Sequence, residues 1–187
     1  SSPATSRAGN RYGMIGMTIA VVTTLVTHMP MKAGDAFNSY VGPDFFSFGE
    51  ILAAIAVGAV IGLTTARRIK MTDMPQLVAA FHSLVGLAAV LVGLAAYLNP
   101  EAFDIMLPDG EINPVSRIEL GLGIAIGAIT FSGSIIAFLK LAGKMSGSPI
   151  MLPGRHALNL GTLLAIIALT AWFTQDQSVW VIATLTV

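Results

Sequence analysis

The chain has no cysteine and little charge: Asp, Glu, Lys and Arg make up 11% of its 187 residues. Without cysteine there is no disulfide framework, no thiolate nucleophile and no Cys-ligated zinc or iron–sulfur cluster. Soluble domains carry about 25% charged residues. Less than half that share, with 55% hydrophobic residues and a mean hydropathy of +0.78, points to an integral membrane protein in contact with the lipid bilayer. Ten basic and ten acidic residues cancel, which removes any bulk attraction to nucleic acid, and no nucleic-acid partner is expected. The alternating polarity of barrel strands is missing too. Helices are then the only spanning elements, because a bilayer offers backbone groups no other partner.

Apolar runs occupy residues 12–29, 45–66, 74–98, 118–139 and 158–174, and another begins at Val179. The expected fold is all-α, one polytopic transmembrane helix bundle over residues 1–187, with five full spans and the start of a sixth at 179–187. The nine residues of that last run rise about 14 Å as a helix, against a hydrocarbon core about 30 Å thick. The sequence therefore reads as a piece of something longer. The polar start "SSPATSRAGNRYG" precedes a run of span length with no small-residue cleavage motif after it, which argues against a signal peptide. Pro75 fits the first turn of the third helix, with Thr72 or Asp73 as its cap.

Basic residues set the orientation. Arg7, Arg11, Arg67, Arg68, Lys70, Lys140, Lys144 and Arg155 all fall on one side if the spans alternate. The other side takes Lys32, Arg117 and the acids Asp35, Asp44, Glu50, Glu101, Asp104, Asp109, Glu111, Glu119 and Asp176. The basic loops are expected in the cytoplasm, or in the matrix of an organelle. Glycines at helical spacing, Gly58 with Gly62, Gly123 with Gly127, and Gly86 with Gly93, are expected to pack helices closely.

His82 stands out in "QLVAAFHSLVGLAAVLVG". It lies about 12 Å along the helix from Met74. Its expected face is Ala79, His82, Gly86, Ala89 or Val90, Gly93 and Tyr97, nearly all small or polar, so the imidazole should point along a groove. An ionisable residue inside a membrane is a functional candidate, and histidine titrates near physiological pH, which suits proton exchange. An interhelical hydrogen bond is the bland alternative. His28 at the far rim reads as interfacial. His156, with Asn159 one turn on, starts the fifth span and suits capping, headgroup contact or a proton role. Ser83 beside the histidine, and Thr130, Ser132 and Ser134 in the fourth span, offer hydroxyls for a polar path or for bonds to their own helix. Glu119 lies near the acidic rim, as a gate or an anchor. The Gly121-x-Gly123 pattern lies inside an apolar span with no strand before it, so it is no dinucleotide fingerprint. The histidines fall in separate segments without ligand spacing, and no metal site is expected.

Three stretches say more: "SRAGNRYGMIGMTIA", "KMTDMPQLVAAFHSLVGLAAVLVG" and "GAITFSGSIIAFLKLAGKMSGSPIMLPGRHALNL". In order and spacing they resemble the membrane domain (domain II) of the beta subunit of proton-translocating NAD(P) transhydrogenase, over nearly the whole chain except residues 30–48 and 99–116. The resemblance implies an enzyme, Re/Si-specific, that couples hydride transfer between NADH and NADP⁺ to proton movement across a membrane. NAD(H) and NADP(H) would be bound by other domains, with no cofactor in this stretch. His82 matches the family's channel histidine. The implied partners are the alpha subunit, the NAD(H)- and NADP(H)-binding domains, the remaining membrane helices of the same subunit, and a second copy in a dimer of the whole enzyme. The implied location is a bacterial cytoplasmic (inner) membrane or the mitochondrial inner membrane. Arg67, Arg68, Lys70, Asp73 and Arg155, on the basic loops, become the expected contacts to a docked domain. Two other readings stay open on the residues themselves: a secondary transporter or channel subunit using His82, and a structural anchor.

Overall fold

The computed structural model describes residues 3–33, 40–149, 151–176 and 178–186. The chain forms two compact units, Ser1–Arg68 and Ile69–Val187.

In the first unit, α1 (Pro3–Thr27) leads into β1 (Met31–Ala33), which pairs antiparallel with β2 (Tyr40–Pro43), and α2 (Phe45–Arg68) follows. Thr18, Thr24 and Thr27 of α1 donate their hydroxyls to carbonyls one turn back, at 2.8–2.9 Å. A hydroxyl on a lipid-facing helix is satisfied in this way without a neighbour. The two short strands are ordered by local bonds, among them the Asp44 N–H to the Pro30 carbonyl at 2.7 Å. Asp44 then caps α2. Its carboxylate accepts from the Phe46 and Ser47 N–H groups and, at 2.6 Å, from the Ser47 hydroxyl. That last bond, with help from Lys32, holds its pKa below the ordinary 3.8. No residue of α2 is buried. Asp35 lies outside the described residues.

In the second unit, a short 3-10 turn (Met71–Asp73) enters α3 (Met74–Leu98), followed by α4 (Pro114–Leu141), α5 (Arg155–Phe173) and the short α6 (Val179–Leu185). Pro75 sits in the first turn as expected, but the Asp73 side chain at the N-cap makes no capping bond and is instead approached by the Thr72 hydroxyl. At α4 the cap is made: Asn113 accepts from Val115 N–H at 3.0 Å, with Pro114 in the first turn. A cap matters more there because α4 starts where the chain has just left a tight hairpin-like loop, with Leu107 N–H on the Glu111 carbonyl and a bridge from Met106 to Ile112.

Four helices, α2, α3 with its preceding turn, α4 and α5, are long and apolar enough to cross a membrane. Among the described residues the secondary structure is all-α apart from the small two-stranded sheet and that isolated bridge. α1 is as long as α3, at 25 residues, but its first turns hold Arg7, Asn10 and Arg11, so it is not among the four.

The glycines divide sharply. A Cβ on Gly86 would lie 2.5 Å from the Phe131 nitrogen and 2.8 Å from the Gly127 carbonyl oxygen, and one on Gly93 would lie 2.5 Å from the Ile124 side chain. These contacts make α3 and α4 antiparallel and in backbone contact, as small residues in apolar helices allow. Gly58, Gly62 and Gly123 meet nothing within 4 Å. Spacing alone marked all six as packing positions, and only the tertiary partner separates them.

The core gathers at the acid-bearing end of this unit. Ile124, Ala125, Phe173, Val181, Ile182 and Leu185 are buried there, with Tyr97 tilted against Phe173 at a ring distance of 5.8 Å. Arg117, 4% exposed, closes that end. Its guanidinium donates to the Ile112 and Thr174 carbonyls, both at 2.7 Å, and to the Glu111 carboxylate at 2.6 Å. One side chain so ties the loop, the start of α4 and the end of α5 together. Its three partners satisfy the buried charge that would otherwise be costly.

Candidate functional site

The antiparallel contacts set a common height for residues far apart in sequence. With Gly86 beside Gly127 and Phe131, and Gly93 beside Ile124, counting back along α3 puts His82 and Ser83 level with Gly133 and Ser134 of α4. Gly121 against Thr170, and a groove shared by Ser132 and Thr162, put Asn159 of α5 near the height of Ser132. Thr130 is one turn away on α4, and His156 one turn further along α5. Residues from three helices therefore share one layer, remote from the acid-bearing end.

Within that layer the side chains differ. Ser83 is 8% exposed and donates to the Ala80 carbonyl at 2.7 Å; Ser134 is equally buried. His82 is exposed, and no hydrogen bond to its ring occurs among the described residues. The face expected from sequence grouped His82 with Gly86 and Gly93, but the α3 seam against α4 runs through Ser83, Gly86, Gly93 and Ala96. Successive helical residues are turned by about 100°, so the neighbour of a seam residue lies off the seam. The imidazole is thus presented beside the α3–α4 pair, not inside it.

A groove of about 500 Å³ runs between α4 and α5 to the end of α6. Four hydroxyls meet it: Ser132, Thr162, Thr184 and Thr186. Each donates to a carbonyl of its own helix, at 2.9, 3.0, 2.8 and 2.7 Å respectively. Their protons are committed, and their lone pairs remain available as acceptors. Ser132 is a sequence candidate; the other three are not. The signal for Thr162 is its place one turn after Asn159. Nothing local marks Thr184 or Thr186, since it takes the fold of α6 along α4 and α5 to bring them there. Thr170 was also invisible in sequence. Its hydroxyl is the one buried side-chain polar atom without a partner among the described residues.

Glu119 is not brought to this layer. It is exposed, in the second turn of α4, about 22 Å along the helix from Ser134. Among the expected domain contacts, Arg67 and Arg68 form the last turn of α2 in the first unit, where cations complement the helix dipole. Lys70, Asp73 and Arg155 belong to the second unit. Arg155 is exposed in the first turn of α5, its Nε 3.5 Å from His156 Nε2 and its Nη1 3.4 Å from Met151 Sδ. That turn starts from Gly154 with no side-chain cap. A cation there opposes the dipole, so the fold itself gains nothing from it. None of the five joins a salt bridge, which among the described residues is made by Arg117 and Glu111 alone.

The family model described as NAD(P) transhydrogenase beta subunit matches residues 1–187. Two curated relatives from Rhodospirillum rubrum, one from a named strain, are each called NAD(P) transhydrogenase subunit beta. Each is 48% identical over 156 residues, 83% of this chain. The matched stretch is 30% of either relative's length. With the family model matching residues 1–187 and curated relatives 48% identical, on a chain of mostly helical, apolar architecture, the chain belongs to the NAD(P) transhydrogenase beta subunit family.

Proposed function

We propose that this chain is the proton-conducting membrane part of an NAD(P) transhydrogenase of the Re/Si-specific kind, and that His82 carries the proton. The observation behind the reading is His82 itself. An imidazole stands on an apolar span, level with hydroxyls of α3 and α4 and an amide of α5, and with no bond to a described neighbour. An ionisable group is costly there, and such groups in spans mark functional positions.

The chemistry asks little of the ring. One nitrogen takes a proton from water on one side, and the other releases one toward the opposite side; this leaves the other neutral tautomer, and rotation of the ring or proton exchange with water restores the first before the next transfer. The imidazolium is poorly solvated in an apolar layer, so its formation favours whatever arrangement supplies water or an acceptor. That difference is a free energy available for coupling to a docked domain. The basic loops are the natural place for such docking. Arg155 and His156 serve α5 poorly as first-turn residues, and Asp73 is the sole acid of those loops. Hydride transfer between NADH and NADP⁺ then belongs to other domains, and Ser83, Ser132, Ser134 and Asn159 at the height of His82, with Thr130 and His156 about a turn away, are the candidate path residues.

The test is His82→Ala in the intact enzyme, reconstituted in vesicles. Coupled proton pumping should fall by about 100-fold or more, the scale of losing one positioned proton carrier. Thermal stability should barely change, since exposed positions away from packing contribute within about 0.5 kcal/mol. Near-normal pumping would remove His82 from the mechanism.

A further inference from the structure

A second groove, of about 580 Å³, lies between α3 and α4 at the acid-bearing end. We propose that it holds one phospholipid with a primary-ammonium headgroup, its acyl chain along the groove and its ammonium on the Glu119 carboxylate.

Three features carry this. The first is shape. Ala89, Gly93 and Ala96 of α3 and Gly123 of α4 withhold side-chain bulk, while Phe103 and Ile105 of the intervening loop cover the end. Gly123 has no atom within 4 Å of a Cβ position, so the space there is open. The second is length. Along α3 the groove runs from Ala96 back to Val85, about 16 Å, close to half of a hydrocarbon core about 30 Å thick. It stops near the middle of α3. A spanning helix would need a track along the whole of α3, whereas the acyl chain of a single leaflet needs this half. The third is charge. Glu119 is the one titratable group on the groove, exposed at its mouth, with the Ser116 hydroxyl nearby. No described side chain pairs with this carboxylate. A carboxylate accepts charge-assisted bonds from a primary ammonium, none from a choline, and repels an anionic headgroup. The apolar chain and the cation are thus wanted at opposite ends of one molecule.

The inference rests on α3 and α4 crossing a membrane, but not on the role of His82. The intact enzyme, purified in detergent and stripped of lipid, is titrated separately with dioleoyl phosphatidylethanolamine, phosphatidylcholine and phosphatidylglycerol, with bound lipid counted by native mass spectrometry. The ethanolamine lipid should bind one high-affinity site per chain, roughly tenfold tighter than the other two, the scale of one charge-assisted hydrogen bond. Glu119→Gln should bring the three within about twofold of one another. Gly123→Phe, which starts from a position where a Cβ meets nothing within 4 Å and projects bulk into the groove, should weaken ethanolamine and choline lipids alike. Equal binding of the three by the unsubstituted enzyme, or an unchanged preference in Glu119→Gln, overturns the proposal. A Gly123→Cys variant identifies the alternatives. Labelling of the stripped enzyme by a lipid-soluble maleimide supports an open groove. Failure to label, together with failure of a lipid bearing a photoactivated carbene on its acyl chain (which needs no thiolate) to insert at the groove, means a protein segment fills it, and that sinks the lipid. In membranes, labelling by a water-soluble maleimide would sink the membrane placement itself, a failure separate from the headgroup preference.

Discussion

α2 and α3 look alike in sequence and behave differently in the fold. Each is a span-length apolar helix that carries a pair of glycines a turn or two apart, Gly58 with Gly62 and Gly86 with Gly93, and the spacing alone marks a packing stripe on both. In the second unit the stripe is used: Gly86 and Gly93 let α3 lie on the backbone and side chains of α4. In the first unit Gly58 and Gly62 meet nothing, and α2 buries no residue. A small-residue spacing therefore describes permission for close approach; the approach needs a partner of matching shape. Lipid tails are as apolar as leucine, so no hydrophobic force closes the gap by itself, and contact is decided by packing.

Gly86→Leu puts a side chain where backbone atoms of Phe131 and Gly127 already stand. It should destabilise the second unit by about 3 kcal/mol or more, above the usual 1–3 for overpacking because backbone cannot step aside. Gly58→Leu, with open space, should stay within about 0.5 kcal/mol. Unfolding in detergent by denaturant would compare the two, and equal effects would mean that the α3–α4 seam is not as close as described.

Arg117→Met comes next. It leaves the Ile112 and Thr174 carbonyls without their donor and frees the loop before α4. A loss of about 2–4 kcal/mol is expected, almost all from the buried bonds to carbonyls. The Glu111 carboxylate is 61% exposed, so Glu111→Gln should cost at most about 1 kcal/mol. The pair of variants sharpens what holds the acid-bearing end: if Glu111→Gln proved the more damaging, the ion pair and not the carbonyl ties would be the clasp.

The smallest effect belongs to the first unit, where order is local. The Asp44 pKa is lowered in the fold by the Ser47 hydroxyl. A depressed carboxyl contributes stability above its unfolded pKa and loses it as pH falls through the folded value. Protection of the Phe46 and Ser47 amides from hydrogen exchange should therefore hold above about pH 4 and decline below it. Asp44→Asn should flatten that decline while leaving the α3–α4 seam untouched.

Much of the site was legible because its signals are one-dimensional. An imidazole in an apolar run needs no neighbour to be noticed, and Pro75 marks its own place in a first turn; the Asn113 cap, ahead of the apolar run that begins at 118, was not read from the sequence. His82's orientation was not legible, since a helical wheel leaves a choice between adjacent faces until a partner selects one. The same holds for Arg117, whose three partners come from one loop and a helix end, and for Thr162, Thr184 and Thr186, which meet only when α6 lies along α4 and α5.

The sequence alone established that this protein is helical, that it carries apolar runs of membrane length, and that His82 lies deep in one of them. Those properties follow from composition and period, because a backbone in an apolar medium must bond within its own helix. Only the tertiary structure decided which glycines touch, which residues of α3 face α4, and which hydroxyls share a height with His82. These are relations between segments, and close packing, which depends on the shape of both surfaces at once, is what settles them.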